Sequence, residues 1–168
     1  YGYKHVLPER PGWYTCGCCP PNVVRLLMSL GKYLWCETEE GVYSHIPAGT
    51  EAHFDKMDVT VESNYPWDGR VTYHITGKTE EETILGIHIP SWVRPGSVQV
   101  RINGKEKNIT ADVEKGYLIL KRVWENDEVE LAFPMKIRKI YANLKVREDA
   151  GCVAFMRGPI VYCFEGVD

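Results

Sequence analysis

Two spacings of apolar residues divide this chain. Val23, Leu26, Leu27, Leu30 and Leu34 recur at helical intervals, and Val24, Met28 and Tyr33 widen the stripe while Arg25 and Lys32 lie off its centre. Pro20 and Pro21 set first-turn dihedrals ahead of it, so a helix is predicted over about Val23 to Trp35. From Gly41 the period becomes two. Met57, Val59 and Val61 alternate with polar residues, as do Val71, Tyr73 and Ile75 after a Pro66-Trp67-Asp68-Gly69 turn. Leu85–Ile89, then Val98–Ile102 closed by Asn103-Gly104, continue the pattern. Leu118–Leu120, Val129–Phe133, and strands near residues 137–141, 153–156 and 160–164 complete it. The expected fold is mainly β: an antiparallel β-sandwich, jelly-roll-like, preceded by one helix. Residues 1–19 carry Pro8, Pro11, Gly12 and Gly17 and are read as irregular. Residues 1–40 and 41–168 are therefore expected to be separate domains. The second has enough alternating apolar positions for its own core, whereas the helix needs a partner for so broad a stripe.

Bulk properties narrow the class without choosing a function. An apolar fraction of 44% and a charged fraction of 26% suit a soluble globular protein. A net charge of -3 gives no electrostatic case for nucleic acid or an anionic membrane. No apolar run is long enough to span a bilayer, and no signal peptide is visible. The chain opens at Tyr1 within a Tyr/His/Pro-rich stretch, which predicts a fragment or a processed product.

The segment Cys16-Gly17-Cys18-Cys19-Pro20-Pro21-Asn22 concentrates the chemistry. Three thiols so close suit metal ligation, disulfide exchange or nucleophilic attack. The last thiol faces the positive end of the predicted helix, which favours a thiolate. Cys152 and Cys163, on apolar strands, are read instead as small buried residues, and Cys36, just after the helix, as inert. Bunched cysteines do not resemble a secreted disulfide scaffold, so a reducing compartment, the cytoplasm, is expected.

Other polar residues converge less. His74 and His88 occupy the polar phase of their strands and are read as exposed, while His45 and His53 flank the start of the β region. His5 is the histidine nearest the thiols in sequence and is a candidate for a substrate or supporting role. Glu80-Glu81-Glu82 and the Glu37, Glu39, Glu40 group read as solvated connections. Nothing in the sequence pairs two carboxylates across a cleft. Trp13, Trp67 and Trp92 could stack on sugar rings, but turn or core packing is the simpler role.

The stretch Trp13-Tyr14-Thr15-Cys16-Gly17-Cys18-Cys19-Pro20-Pro21-Asn22, with Arg25 and Ser29-Leu30-Gly31-Lys32-Tyr33, resembles the β-L-arabinofuranosidases of glycoside hydrolase family 127. Pro90-Ser91-Trp92 and Arg157-Gly158-Pro159-Ile160-Val161-Tyr162-Cys163-Phe164-Glu165 are similar to the same family, so the likeness runs the length of the chain.

That resemblance implies an (α/α)6 barrel followed by a β-sandwich, with residues 1–40 ending the catalytic barrel and residues 41–168 forming the sandwich. It implies Cys18 as nucleophile and Cys18 and Cys19 as ligands of Zn2+. A glutamate and a cysteine completing the zinc site, and a glutamate acid/base, would come from upstream of this chain; Cys16 receives no role. The implied reaction is retaining hydrolysis of an arabinofuranosyl-containing glycan, with the upstream catalytic domain as partner. Alone, the chain is expected to be inactive and to hold zinc weakly or not at all. Homo-oligomer formation is one way to cover the helix stripe. Two other readings stay open: a non-catalytic sandwich module for domain packing or glycan contact, and a redox or structural zinc site.

Overall fold

The computed structural model describes residues 16–109 and 111–164, and the chain divides into two compact units, residues 1–33 and 34–168. In the first, helix α1 (Cys19–Met28) begins earlier than the apolar stripe predicts and ends sooner; α2 (Gly31–Leu34) follows as a single turn. The early start follows from the prolines, which occupy first-turn positions where a missing N–H costs nothing. The early stop has its cause at Ser29. Its hydroxyl donates to the carbonyls of Arg25 (2.9 Å) and Leu26 (3.1 Å), and its N–H bonds the carbonyl of Leu26 at 3.0 Å, tightening the last turn. No residue of α1 is buried, so its apolar face lies open.

The second unit is mainly β, as expected. Its strands are β1 (Trp35–Thr38), β2 (Gly41–Ser44), β3 (Thr50–His53), β4 (Asp58–Ser63), β5 (Arg70–Thr76), β6 (Thr83–His88), β7 (Gln99–Ile102), β8 (Lys105–Glu106), β9 (Val113–Glu114), β10 (Tyr117–Arg122) and β11 (Glu128–Ala132). They form one sheet in the order β1-β2-β6-β10-β9 and another in the order β3-β4-β5-β11-β7-β8. A third sheet joins β12 (Ile137–Ile140), β13 (Ala154–Arg157) and β14 (Ile160–Tyr162). Every pairing is antiparallel except β2 with β6. That pair is parallel because the chain leaves the first sheet after β2, builds β3 to β5 in the second, and returns.

The alternating positions predicted to point inward do so. Val42, Leu85, Ile87, Leu118 and Leu120 of one sheet meet Val59, Val61, Val71, Tyr73, Val129 and Leu131 of the other in a single cluster. Trp124 is wholly buried there, and its indole N–H donates to the carbonyl of Thr83 at 2.8 Å. Asn103 and Gly104 take left-handed backbone (φ 51° and 74°), as the β7–β8 hairpin turn requires. Gly158 also takes left-handed backbone (φ 58°), where any side chain is strained.

Strand β1 departs from the sequence pattern, which ends the helix at about Trp35 and makes the Glu37, Glu39, Glu40 stretch an acidic connection. Trp35 fixes it, its ring packing against Phe54 (5.4 Å) and Tyr73 (6.2 Å). Cys36, the next residue on that edge strand, then points away from the core and is exposed. Cys152, after the 3-10 turn Arg147–Asp149, and Cys163, past the end of β14, are exposed as well. The expectation that Cys152 and Cys163 are buried is thus overturned: a connector and a strand end are not core positions.

Candidate functional site

The cysteine segment is built around the first turn of α1. Cys18 is the N-cap with helical backbone (φ -73°, ψ -29°), and its thiol caps nothing. The Cys18 carbonyl is the first acceptor of the helix. Its backbone donor, the Asn22 N–H, is stretched to 3.4 Å, while the Asn22 side-chain amide donates to the same oxygen at 2.8 Å. Arg25 Nη2 donates in turn to Asn22 Oδ1 at 2.9 Å. Asn22 and Arg25 stood in the motif without a role at the level of sequence. Their spacing, four residues and then three, was the available signal, because those intervals meet on one helix face.

The thiols interact with one another more than with anything else. The Cys18 backbone N–H and then its thiol bond to Cys16, holding the Cys16 thiol below the usual thiol range. Cys18 is pushed up, first by Cys16 and then by Cys19, because a second thiolate would form beside other sulfurs. Cys18 therefore lacks the thiolate preference expected of the last thiol at the helix end.

Cys18 Sγ and Cys19 Sγ lie 3.8 Å apart. Two sulfurs at about 2.3 Å from a tetrahedral zinc are separated by about 3.8 Å, so the pair fits two corners of such a site. Among the described residues, no three His, Cys, Asp or Glu side chains converge to complete one. His5 and Trp13 lie outside the described residues.

The remaining candidates belong to the second unit. His74 is half-buried rather than exposed, lying 3.5 Å from Glu128 and 3.7 Å from Glu62 on the flanking strands. His88 is also half-buried, against the ring of Tyr117, whose hydroxyl meets His45 Nδ1 at 2.7 Å. His53 pairs with Asp58 at 2.9 Å. Trp92 packs on Phe133, and Trp67 is exposed in its turn. A groove of about 370 Å³ on the outer face of β5, β11 and β7 is lined by Arg70, Thr72, Gln99, Arg101 and Glu130 among others, with no aromatic ring. Stacking on a sugar has no platform there.

The profile described as "Beta-L-arabinofuranosidase, GH127 middle domain" matches residues 41–135, and that of the "Glycoside hydrolase family 127 C-terminal domain" matches residues 137–168. The boundary between them falls between β11 and β12, where the third sheet begins. A curated relative from Bifidobacterium longum subsp. longum, a non-reducing end β-L-arabinofuranosidase, is 39% identical across 98% of this chain and 26% of its own length. A GH127 β-L-arabinofuranosidase from Geobacillus stearothermophilus T6 superposes with a TM-score of 0.80 at 41% identity, covering 94% of this chain and 25% of that one. A further GH127 β-arabinofuranosidase gives a TM-score of 0.77 at 35% identity, over 91% and 27% of the two chains. The chain thus spans about a quarter of the length of the relatives it matches. By the match over most of its β region and by these relatives, the chain belongs to glycoside hydrolase family 127.

Proposed function

We propose that this chain supplies the nucleophile and two zinc donors of a retaining glycoside hydrolase that releases β-L-arabinofuranosyl groups from a glycan. The observation that carries this reading is the 3.8 Å separation of Cys18 and Cys19 sulfurs at the start of α1, in a chain of this family. Zinc, when bound, keeps such sulfurs deprotonated near neutral pH. Cys18 Sγ attacks the anomeric carbon, the glycosidic C–O bond breaks, and the leaving oxygen takes a proton from a carboxylic acid outside this chain. Water, losing its proton to that carboxylate, then attacks the same carbon; the C–S bond breaks and Cys18 leaves as thiolate. Two inversions give net retention. Cys19 stays a donor throughout and forms no bond to sugar.

The missing carboxylates and donors belong, in this reading, to the catalytic domain of the full-length protein, with residues 1–40 closing its barrel. The chain alone is then inactive. Exposed cysteines fit a reducing compartment such as the cytoplasm. In the full-length protein, Cys18→Ala is expected to abolish turnover of an aryl β-L-arabinofuranoside, and NMR of the first-formed sugar is expected to give the β anomer. Normal turnover by Cys18→Ala, or an α-configured first product, refutes the mechanism.

A further inference from the structure

We infer that Asn22 is a positioning residue for the Cys18–Cys19 pair and that Arg25 holds Asn22 in the orientation this needs. The inference rests on the reading of those thiols as nucleophile and zinc donors.

The Cys18 carbonyl oxygen belongs to the peptide plane that joins Cys18 to Cys19, so both α-carbons lie in that plane. Whatever pins this oxygen constrains the direction from which both side chains leave the backbone. Pro20 restricts Cys19 from the other side. The backbone bond to the oxygen is long, at 3.4 Å, and the side-chain amide of Asn22 provides the short one, at 2.8 Å. An amide can present either end. Arg25, donating to Oδ1 at 2.9 Å, turns the NH2 end toward Cys18. Arg25, Asn22 and the Cys18 carbonyl therefore form a relay from the middle of α1 to the peptide plane whose two α-carbons bear the thiol side chains. Among the described residues neither Asn22 nor Arg25 hydrogen-bonds a sulfur, so their effect passes through the backbone.

The test uses the full-length zinc-loaded protein, with Asn22→Asp, Asn22→Ala, Arg25→Gln and the double variant Asn22→Ala/Arg25→Gln. Asn22→Asp keeps the shape but sets an oxygen against the Cys18 carbonyl. Zinc affinity is read by chelator competition and thiolate geometry by the charge-transfer band after cobalt(II) replaces zinc. Loss of the relay is expected to weaken zinc and lower kcat by about 10- to 100-fold each. The cobalt band is expected to shift, with KM staying within about twofold. Arg25→Gln is expected to move the same readouts less, and the double variant to be no worse than Asn22→Ala. Wild-type zinc affinity, kcat and cobalt spectrum in both Asn22 variants overturn the inference, and so does a loss of thermal stability with an unmoved cobalt band. Additive losses in the double variant remove Arg25 from the relay. Should an Asn22 variant fail to fold, Arg25→Gln, which leaves Asn22 in place, carries the same readouts. Cys18→Ala separates the two ideas: its activity sinks the mechanism, whereas an inactive Cys18→Ala beside an unaffected Asn22→Ala sinks only the relay.

Discussion

Tyr73 on β5 reaches across the sandwich to Ser44 on β2, with 3.0 Å between hydroxyls and both residues buried. Each group satisfies the other, so removing one strands its partner. Tyr73→Phe is expected to cost about 1–3 kcal/mol, while Tyr73→Phe with Ser44→Ala costs less than the single change, because no buried hydroxyl is left unpaired. Urea unfolding of the 168-residue chain decides between them. The same tyrosine shapes the alkaline limit of the fold. Burial raises its phenol well above the usual range, with the bond to Ser44 offsetting only part. Above about pH 10 the unfolded chain ionises this tyrosine while the folded one does not, so stability present at neutral pH declines as pH rises. Tyr73→Phe lacks that loss, and its stability deficit is expected to narrow between about pH 9 and 11. A constant deficit across that range would contradict the assignment.

Strand β1 shows at the scale of an element what packing adds to pattern. Trp35 is only half-buried yet anchors the strand on Phe54 and Tyr73, and Leu34 just before it is buried. Trp35→Ala is expected to cost about 2–3 kcal/mol, short of the loss from full burial. The melting midpoint should drop by roughly 6–10 °C. A chain begun at Gly41, the first residue matched by the middle-domain profile, loses β1 altogether and is expected to melt lower than one begun at Leu34. Equal midpoints would make β1 an ornament of the sheet. The strands that form the core were legible because one face is buried, which imposes strict alternation on Val59–Val61, Val71–Ile75, Leu85–Ile87 and Val129–Leu131. Strands β1, β3, β8 and β9 were not, being short and largely outside the core. The helix was legible as a stripe, but its end was set by a hydroxyl at Ser29 that hydropathy does not register. The thiol cluster was legible as chemistry because nothing else requires such crowding. Its amide support was not, since a hydrogen bond to a carbonyl leaves no mark on composition.

The whole molecule is two units, one carrying the clustered thiols Cys16, Cys18 and Cys19 and one carrying the core. Two cysteines provide half the donors of a tetrahedral zinc site. The 168-residue chain is therefore expected to retain far less than one zinc after desalting under reducing conditions, and the full-length protein about one. Elemental analysis measures both. A stable one-to-one complex with the chain alone would place further donors within it, with Cys16 and His5 the first to replace.

The parallel pairing of β2 with β6 has a consequence for synthesis on the ribosome. The hairpin of β1 and β2 can close as soon as it emerges, but its inner edge must wait for β6, roughly forty residues further along. Until then Val42 and Tyr43 travel with one row of backbone donors and acceptors facing water and open to another strand. That open edge invites misassociation until β6 emerges. A pause in translation between β5 and β6 would lengthen that exposure, whereas one after β10 would find the hairpin already docked.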